Sequence, residues 1–115
     1  MKLIIAGGRE FFPEEADFIF LENIYDINDI TEVVSGCAKG ADRFGEVWAE
    51  DKGIPIKKFP ADWNTHGKRA GPIRNSQMAD YADALCAFWD GKSKGTKHMI
   101  DDAHKKGLQV FVKTY

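Results

Sequence analysis

The chain has 115 residues, 43% of them apolar, which is enough for one domain with a single core between packed layers and rules out a disordered chain. Sixteen basic residues against eighteen acidic ones leave a formal net charge of −2, so no global field draws the protein to nucleic acid. No apolar run approaches the ~20 residues of a membrane span, and Leu3–Ala6 behind a single lysine is too brief for a signal peptide, so a soluble cytoplasmic protein with no membrane contact is expected.

Lys2–Ala6 is a continuous aliphatic run closed by Gly7-Gly8, the pattern of a strand buried on both faces. Pro13 suits a first helical turn with Glu14 and Glu15 beside it, and Ala16, Ile19, Phe20, Ile24 and Ile27 follow at helical spacing. Thr31–Ser35 is short and β-branched. It gives way to Ser35-Gly-Cys-Ala-Lys-Gly-Ala-Asp42, after which Ala41, Phe44, Val47 and Trp48 mark a second helical face that ends at Gly53. Pro55–Phe59 reads as a third strand. A polar loop from Pro60 to Gly71 then precedes a helix opened by Pro72, with Ile73, Met78 and Tyr81 inward. Ala84–Trp89 is the fourth strand. Thr96 is the expected N-cap of a last helix carrying Ile100 and Ala103, which stops at Gly107 with Lys105 and Lys106 in its final turn. Leu108–Val112 is the fifth strand.

Strands alternating with helices imply right-handed crossovers and a parallel sheet covered on both faces. The expected fold class is α/β: a Rossmann-like three-layer α/β/α sandwich with a five-stranded parallel sheet in the order 3-2-1-4-5. Helices one and two would cover one face and helices three and four the other. No repeat or linker divides the chain, so residues 1–115 form a single domain.

In such sheets ligands sit outside the carboxyl ends of the strands, where the strand order reverses. Here that is between strands one and four. Three glycine-bearing loops converge there: Gly7-Gly8-Arg9, Ser35–Asp42 with Gly36 and Gly40, and Asp90–Thr96 with Gly91, Ser93 and Gly95. Glycines permit close backbone approach, and helix N-termini offer unpaired N–H groups to an anion. Arg9, Lys39 and Arg43 add positive charge nearby, Arg9 with a guanidinium able to fork onto oxygen pairs. Asp42 is placed either to accept from a sugar's hydroxyls or to stabilise the start of its helix. Arg74 and Asn75 fall in the first turn of the third helix, behind a long loop carrying Asp62, Trp63, His66, Lys68 and Arg69 that would act as a lid or a subunit contact. Trp63 and Trp89 offer flat faces to a base, or simply pack the loop and the strand end.

Several chemistries are excluded. Gly91-Lys92-Ser93 suggests a Walker A loop, but that pattern needs a glycine where the chain has Cys86. Cys37 and Cys86 fit neither a disulfide framework nor a zinc pattern, and His66, His98 and His104 lack metal-ligand spacing, so no metal and no cofactor are expected. No nucleophile elbow is present.

Four motifs together, Ile5-Ala-Gly-Gly-Arg9, Ser35-Gly-Cys-Ala-Lys-Gly-Ala-Asp42, Gly71-Pro-Ile-Arg-Asn75 and Trp89-Asp-Gly-Lys-Ser-Lys-Gly-Thr96, resemble a compact stand-alone YspA-type member of the SLOG superfamily. This Rossmann-like group includes the LOG phosphoribohydrolases and the DNA-processing protein DprA. The resemblance implies a site for a nucleotide or nucleotide-derived molecule, such as a nucleoside phosphate or an ADP-ribose-like ligand, to be sensed, sequestered or processed. It places Gly7, Gly8 and Arg9, then Ser35, Gly36, Lys39, Gly40 and Asp42, then Arg74 and Asn75 in that site, with Gly91, Gly95 and Thr96 as its phosphate loop. It also implies a homodimer or higher homo-oligomer. LOG enzymes carry Pro-Gly-Gly-x-Gly-Thr-x-x-Glu; aligning Gly-Thr on Gly95-Thr96 puts Ser93 at a glycine and Met99 at the catalytic glutamate. A thioether is no general base. The expectation is therefore a binding protein, with an N-glycosidic hydrolase using Asp42, Asp90 or Asp101 as the alternative and DprA-like binding of single-stranded nucleic acid a distant third.

Overall fold

The computed structural model describes all residues from Met1 to Tyr115. In chain order the elements are β1 (Lys2–Gly7), α1 (Glu15–Ile27), β2 (Glu32–Ser35), α2 (Ala41–Lys52), β3 (Ile56–Lys58), α3 (Trp63–His66), a 3₁₀ turn (Gly67–Arg69), α4 (Ala70–Tyr81), β4 (Ala84–Trp89), α5 (Lys94–Lys105) and β5 (Gln109–Thr114). The five strands form one parallel sheet in the order β3-β2-β1-β4-β5. Leu3 pairs with Val33 on one side and Ala84 on the other, and Ala84 pairs in turn with Gln109. The strand order therefore reverses at β1 and β4, and the fold is the expected Rossmann-like α/β sandwich.

Alternation along the strands divides the core in two. Leu3 and Ile5 of β1, with Val33 and Cys86, face Leu21 and Ile24 of α1 and Phe44 and Trp48 of α2. Ile4 and Ala6, with Val34 and Leu85, face Met78 of α4 and Met99 and Ile100 of α5. β1 and β4 contribute side chains to both layers, which explains why their sequences are continuous aliphatic runs.

Three local readings are corrected. The inward stripe of α1 is Asp17, Leu21 and Ile24, while Ile19 and Ile27 are exposed. The helix is rotated because Asp17 finds a cation inside: its Oδ1 lies 2.8 Å from Lys113 Nζ of the edge strand, and its Oδ2 accepts from the Glu14 N–H at 2.8 Å. The segment from Pro60 to Gly71 is not a plain loop. It holds α3, capped by Asp62 accepting from the Thr65 N–H, and then runs through the 3₁₀ turn into α4, which starts at Ala70 rather than Pro72. Arg74 and Asn75 thus sit in the second turn of α4. Finally, α5 is capped by Ser93 and not by Thr96: Ser93 Oγ accepts from the Thr96 N–H at 3.4 Å, so the helix begins three residues earlier than the motif suggests.

Candidate functional site

The carboxyl ends of β1 and β4 and the N-terminal turns of α2, α4 and α5 enclose a cavity of about 570 Å³. Of the residues expected at a site, Gly7, Gly8, Arg9, Asp42, Arg74, Asn75, Asp90, Ser93, Gly95 and Thr96 line it. Gly36 and Lys39 line an adjoining cavity of about 630 Å³, which shares Arg9 and Arg74 with the first. The others are placed elsewhere. Gly40 and Arg43 line a groove between α1 and α2, and Asp101 is exposed on α5, paired with Lys97 Nζ at 2.8 Å. Ser35 is buried, its hydroxyl donating to Glu46 Oε2 at 2.6 Å. Trp89 packs against the α4 and α5 side of the core and donates from its indole N–H to the Ser93 carbonyl at 3.1 Å, which holds the following loop in place.

The loop from Asp90 to Thr96 is built to present a helix end. Asp90 Oδ1 accepts from the N–H groups of Lys92 and Ser93, both at 2.8 Å, and these bonds hold its carboxyl below the usual carboxylate range. Gly91 supplies the turn with φ 82°. Asp90 therefore shapes the loop and uses up two of the donors that the sequence assigns to phosphate. The Thr96 N–H is taken by Ser93 Oγ. The N–H groups of Lys94 and Gly95, first and second in α5, have no partner within the protein. A side chain at Gly95 would meet nothing within 4 Å, and Lys94 and Gly95 both line the cavity.

The β1 glycines also have a packing role. A Cβ at Gly7 would press on the Phe88 carbonyl and on Ala41, and one at Gly8 on the Tyr115 hydroxyl. They let β1 approach β4, α2 and Tyr115 closely, and both line the cavity. Gly40 has φ 73°, and a Cβ there would fall on the Gly8 carbonyl, so only glycine fits this approach of α2 to β1.

Asp42 and Arg74 meet around Gly36. The Asp42 carboxylate accepts from the Ala38 N–H at 3.2 Å, and Arg74 Nη1 donates to the Gly36 carbonyl at 2.6 Å. A Cβ on Gly36 would lie 2.6 Å from Arg74 Nη1 and 2.9 Å from Asp42 Oδ2, so this glycine makes room for both groups. Burial pushes the Asp42 carboxyl up to about 6, against the opposing pull of the Ala38 N–H and the Arg74 charge. Burial likewise draws the Arg74 guanidinium below its usual value.

Asn75 is a clamp rather than a free sugar-binding amide. Its Oδ1 accepts from Arg74 Nε at 3.0 Å, and its Nδ2 reaches the Gly95 carbonyl at 3.4 Å and His98 Nδ1 at 3.2 Å. With the amide donating, His98 Nδ1 is the acceptor and the ring proton sits on Nε2. The chain Gly36–Arg74–Asn75–His98 joins the β2 loop, α4 and α5.

Sequence reasoning missed His98 and Tyr115, which both line the cavity. His98 lies in the second turn of the helix whose start enters the crevice, and considering it only as a metal ligand hid it. Tyr115 follows β5, whose carboxyl end opens on the same edge of the sheet as β4 in any parallel arrangement. Trp63 lines the cavity from α3, half exposed, whereas Trp89 does not. Met99, at the position of the LOG glutamate, is buried and contributes an apolar wall.

A doubly wound parallel sheet, with a cavity at its switch point and an open helix N-terminus beside it, defines a Rossmann-like domain. Residues 1–66 match the family YAcAr, described as the YspA, cpYpsA-related SLOG family, and the chain belongs to that family. It is also similar to the Gene 61 protein of Mycobacterium phage D29, at 40% identity over 84 residues that cover 68% of this chain and 67% of that protein. No solved structure matches the chain significantly. SLOG membership points to nucleotide-related binding or processing. No helix is long and apolar enough to cross a membrane.

Proposed function

We propose that the protein binds a nucleotide or nucleotide-derived ligand, a nucleoside phosphate or an ADP-ribose-like molecule, in the crevice at the ends of β1, β2 and β4, for sensing or sequestration. The observation that carries this reading is the start of α5. Lys94 and Gly95, whose N–H groups have no protein partners, line a cavity of about 570 Å³, and Gly95 brings no side chain into it. A phosphate there would accept both N–H groups at the positive end of the helix dipole. Arg9 and Arg74 would balance its charge, and the His98 Nε2–H is a further donor on the same wall. Trp63 and Tyr115 supply aromatic surface for a base.

The role given to Asp42 separates binding from catalysis. A second reading, cleavage of an N-glycosidic bond, is favoured by one feature: Asp42 is a buried carboxyl on the cavity wall that titrates at about 6. A carboxyl of that kind keeps a proton available near neutrality and would pass it to the base as the C–N bond breaks, while water bonds to the sugar carbon and its released proton restores the carboxyl. Incubation with adenosine monophosphate and with ADP-ribose decides between the two. Ligand-induced thermal stabilisation without release of free base supports binding alone. Release of base that disappears in Asp42→Asn supports the enzyme. Absence of both stabilisation and turnover with either compound contradicts the proposed site.

A further inference from the structure

Arg43 is singled out by the sequence as a site residue, yet it lies outside both site cavities and lines a groove of about 450 Å³ between α1 and α2. Its side chain, 62% exposed, has one long contact, 3.4 Å from Nη1 to Glu46 Oε1. Val47 and Asp51 follow it at intervals of four residues, so the three side chains form one exposed stripe along α2, roughly 12 Å from end to end. The groove beside this stripe is largely apolar: Pro13 and Phe18 on the α1 side and Phe44 and Trp48 of α2 line it, with Phe18 and Val47 both close to half exposed, and the one further charge, Glu22 of α1, is already paired with Lys52 at 2.8 Å.

The stripe is self-complementary. Arg43 and Asp51 stand equally far from Val47, one on each side, and carry opposite charges. A second copy of α2 laid antiparallel, with a two-fold axis through Val47, would set each Arg43 against the other copy's Asp51 and bury valine on valine. A parallel arrangement would set like charges together. The same surface patch used on both subunits is the defining property of a two-fold interface. We propose that this face of α2, flanked by Phe18, is where two copies of the chain associate into a dimer. The occupant is a second copy because the charge pattern matches its own reverse. The interface leaves both site cavities open, since none of Arg43, Val47 and Asp51 lines them.

Sedimentation analysis of the full chain across protein concentration, with charge reversals, tests this. The expected result is a dimer whose dissociation constant rises roughly tenfold or more in Arg43→Asp and in Asp51→Arg, because each change sets two pairs of like charges face to face. The double variant, with the charges exchanged, should return to near the original constant. Val47→Arg should be monomeric. In a Cys37→Ser background, Val47→Cys should form a disulfide-linked dimer under mild oxidation. These side chains are exposed, so the variants are expected to fold as the parent does. A chain that is monomeric throughout, or a dimer indifferent to these changes, overturns the proposal. So do single reversals that weaken the dimer without rescue in the double variant, because the antiparallel register requires rescue.

Discussion

The Arg74 guanidinium donates to the Gly36 carbonyl oxygen at 2.6 Å, and through this contact α4 fixes the loop that leaves β2. The same side chain uses Nε to hold Asn75 Oδ1 at 3.0 Å, which orients Asn75 toward α5. One residue thus sets the spacing of three elements around the cavity.

Replacing Arg74 by Met should cost about 2 kcal/mol of folding stability, the range for losing charged hydrogen bonds to partly buried acceptors. Arg74→Lys should recover only part of this, because an ammonium lacks the planar fork that spans Gly36 and Asn75. Urea denaturation of the three proteins measures the difference, and equal stability of the Lys variant and the parent would contradict the geometry.

Gly95 separates fold from binding. Its φ is ordinary and its surroundings are open, so Gly95→Ala should leave stability unchanged or raise it by up to ~1 kcal/mol through helix propensity. Gly95→Asp should also fold, yet abolish ligand-induced stabilisation by placing a carboxylate where the phosphate charge would lie. Gly40→Ala should behave in the opposite way and lose about 2 kcal/mol, because φ 73° and the Gly8 carbonyl both oppose a side chain. Thermal melts with and without ADP-ribose distinguish these outcomes.

Asp42 makes stability depend on pH in a defined direction. Its folded-state pKa is raised from an ordinary 3.8 to about 6, so between these values the folded chain holds more protons than the unfolded one. Linkage then requires stability to fall as pH rises from 3.8 through 6 and to level off above. The full contribution is on the order of 3 kcal/mol. Asp42→Asn should remove this fall and be more stable than the parent at pH 8. Denaturation midpoints at pH 4, 6 and 8 test the sign, and a parent protein that gains more stability than Asp42→Asn across this interval would contradict it.

The inward Asp17 is held by Lys113 and by the Glu14 N–H. Lys113→Met leaves a buried carboxylate without its cation and should cost about 3 kcal/mol. Asp17→Ala removes the capping bond as well as the ion pair, but leaves no unpaired charge on the carboxylate side. Its loss should be no larger than that of Lys113→Met, as chemical denaturation of the two variants would show.

The sheet and its order were legible because β1 and β4 are continuous apolar runs, the other strands are short segments closed by glycine, proline or a polar turn, and alternation with helices leaves few topologies. The meeting of the three glycine loops followed from that order alone. The rotation of α1 was not legible, because the partner that brings Asp17 inward lies ninety-six positions away in the chain (113 − 17) on β5. Asp90, Asn75 and Arg43 were visible as polar residues near the motifs. Their roles depend on which atoms already have partners: Asp90 spends its carboxylate on its own loop, Asn75 spends its amide on α4 and α5, and Arg43 points to the far side of α2. His98 and Tyr115 entered the cavity from positions without a motif.

The account rests on the N–H groups at the start of α5, and amide-resolved NMR titration observes them directly. On addition of inorganic phosphate, adenosine monophosphate and ADP-ribose in turn, the Lys94 and Gly95 amide signals should shift most, with Gly36 and His98 responding to the two nucleotides. If all three compounds at saturating concentration leave the Lys94 and Gly95 signals where they began, α5 does not hold phosphate and the central claim is wrong.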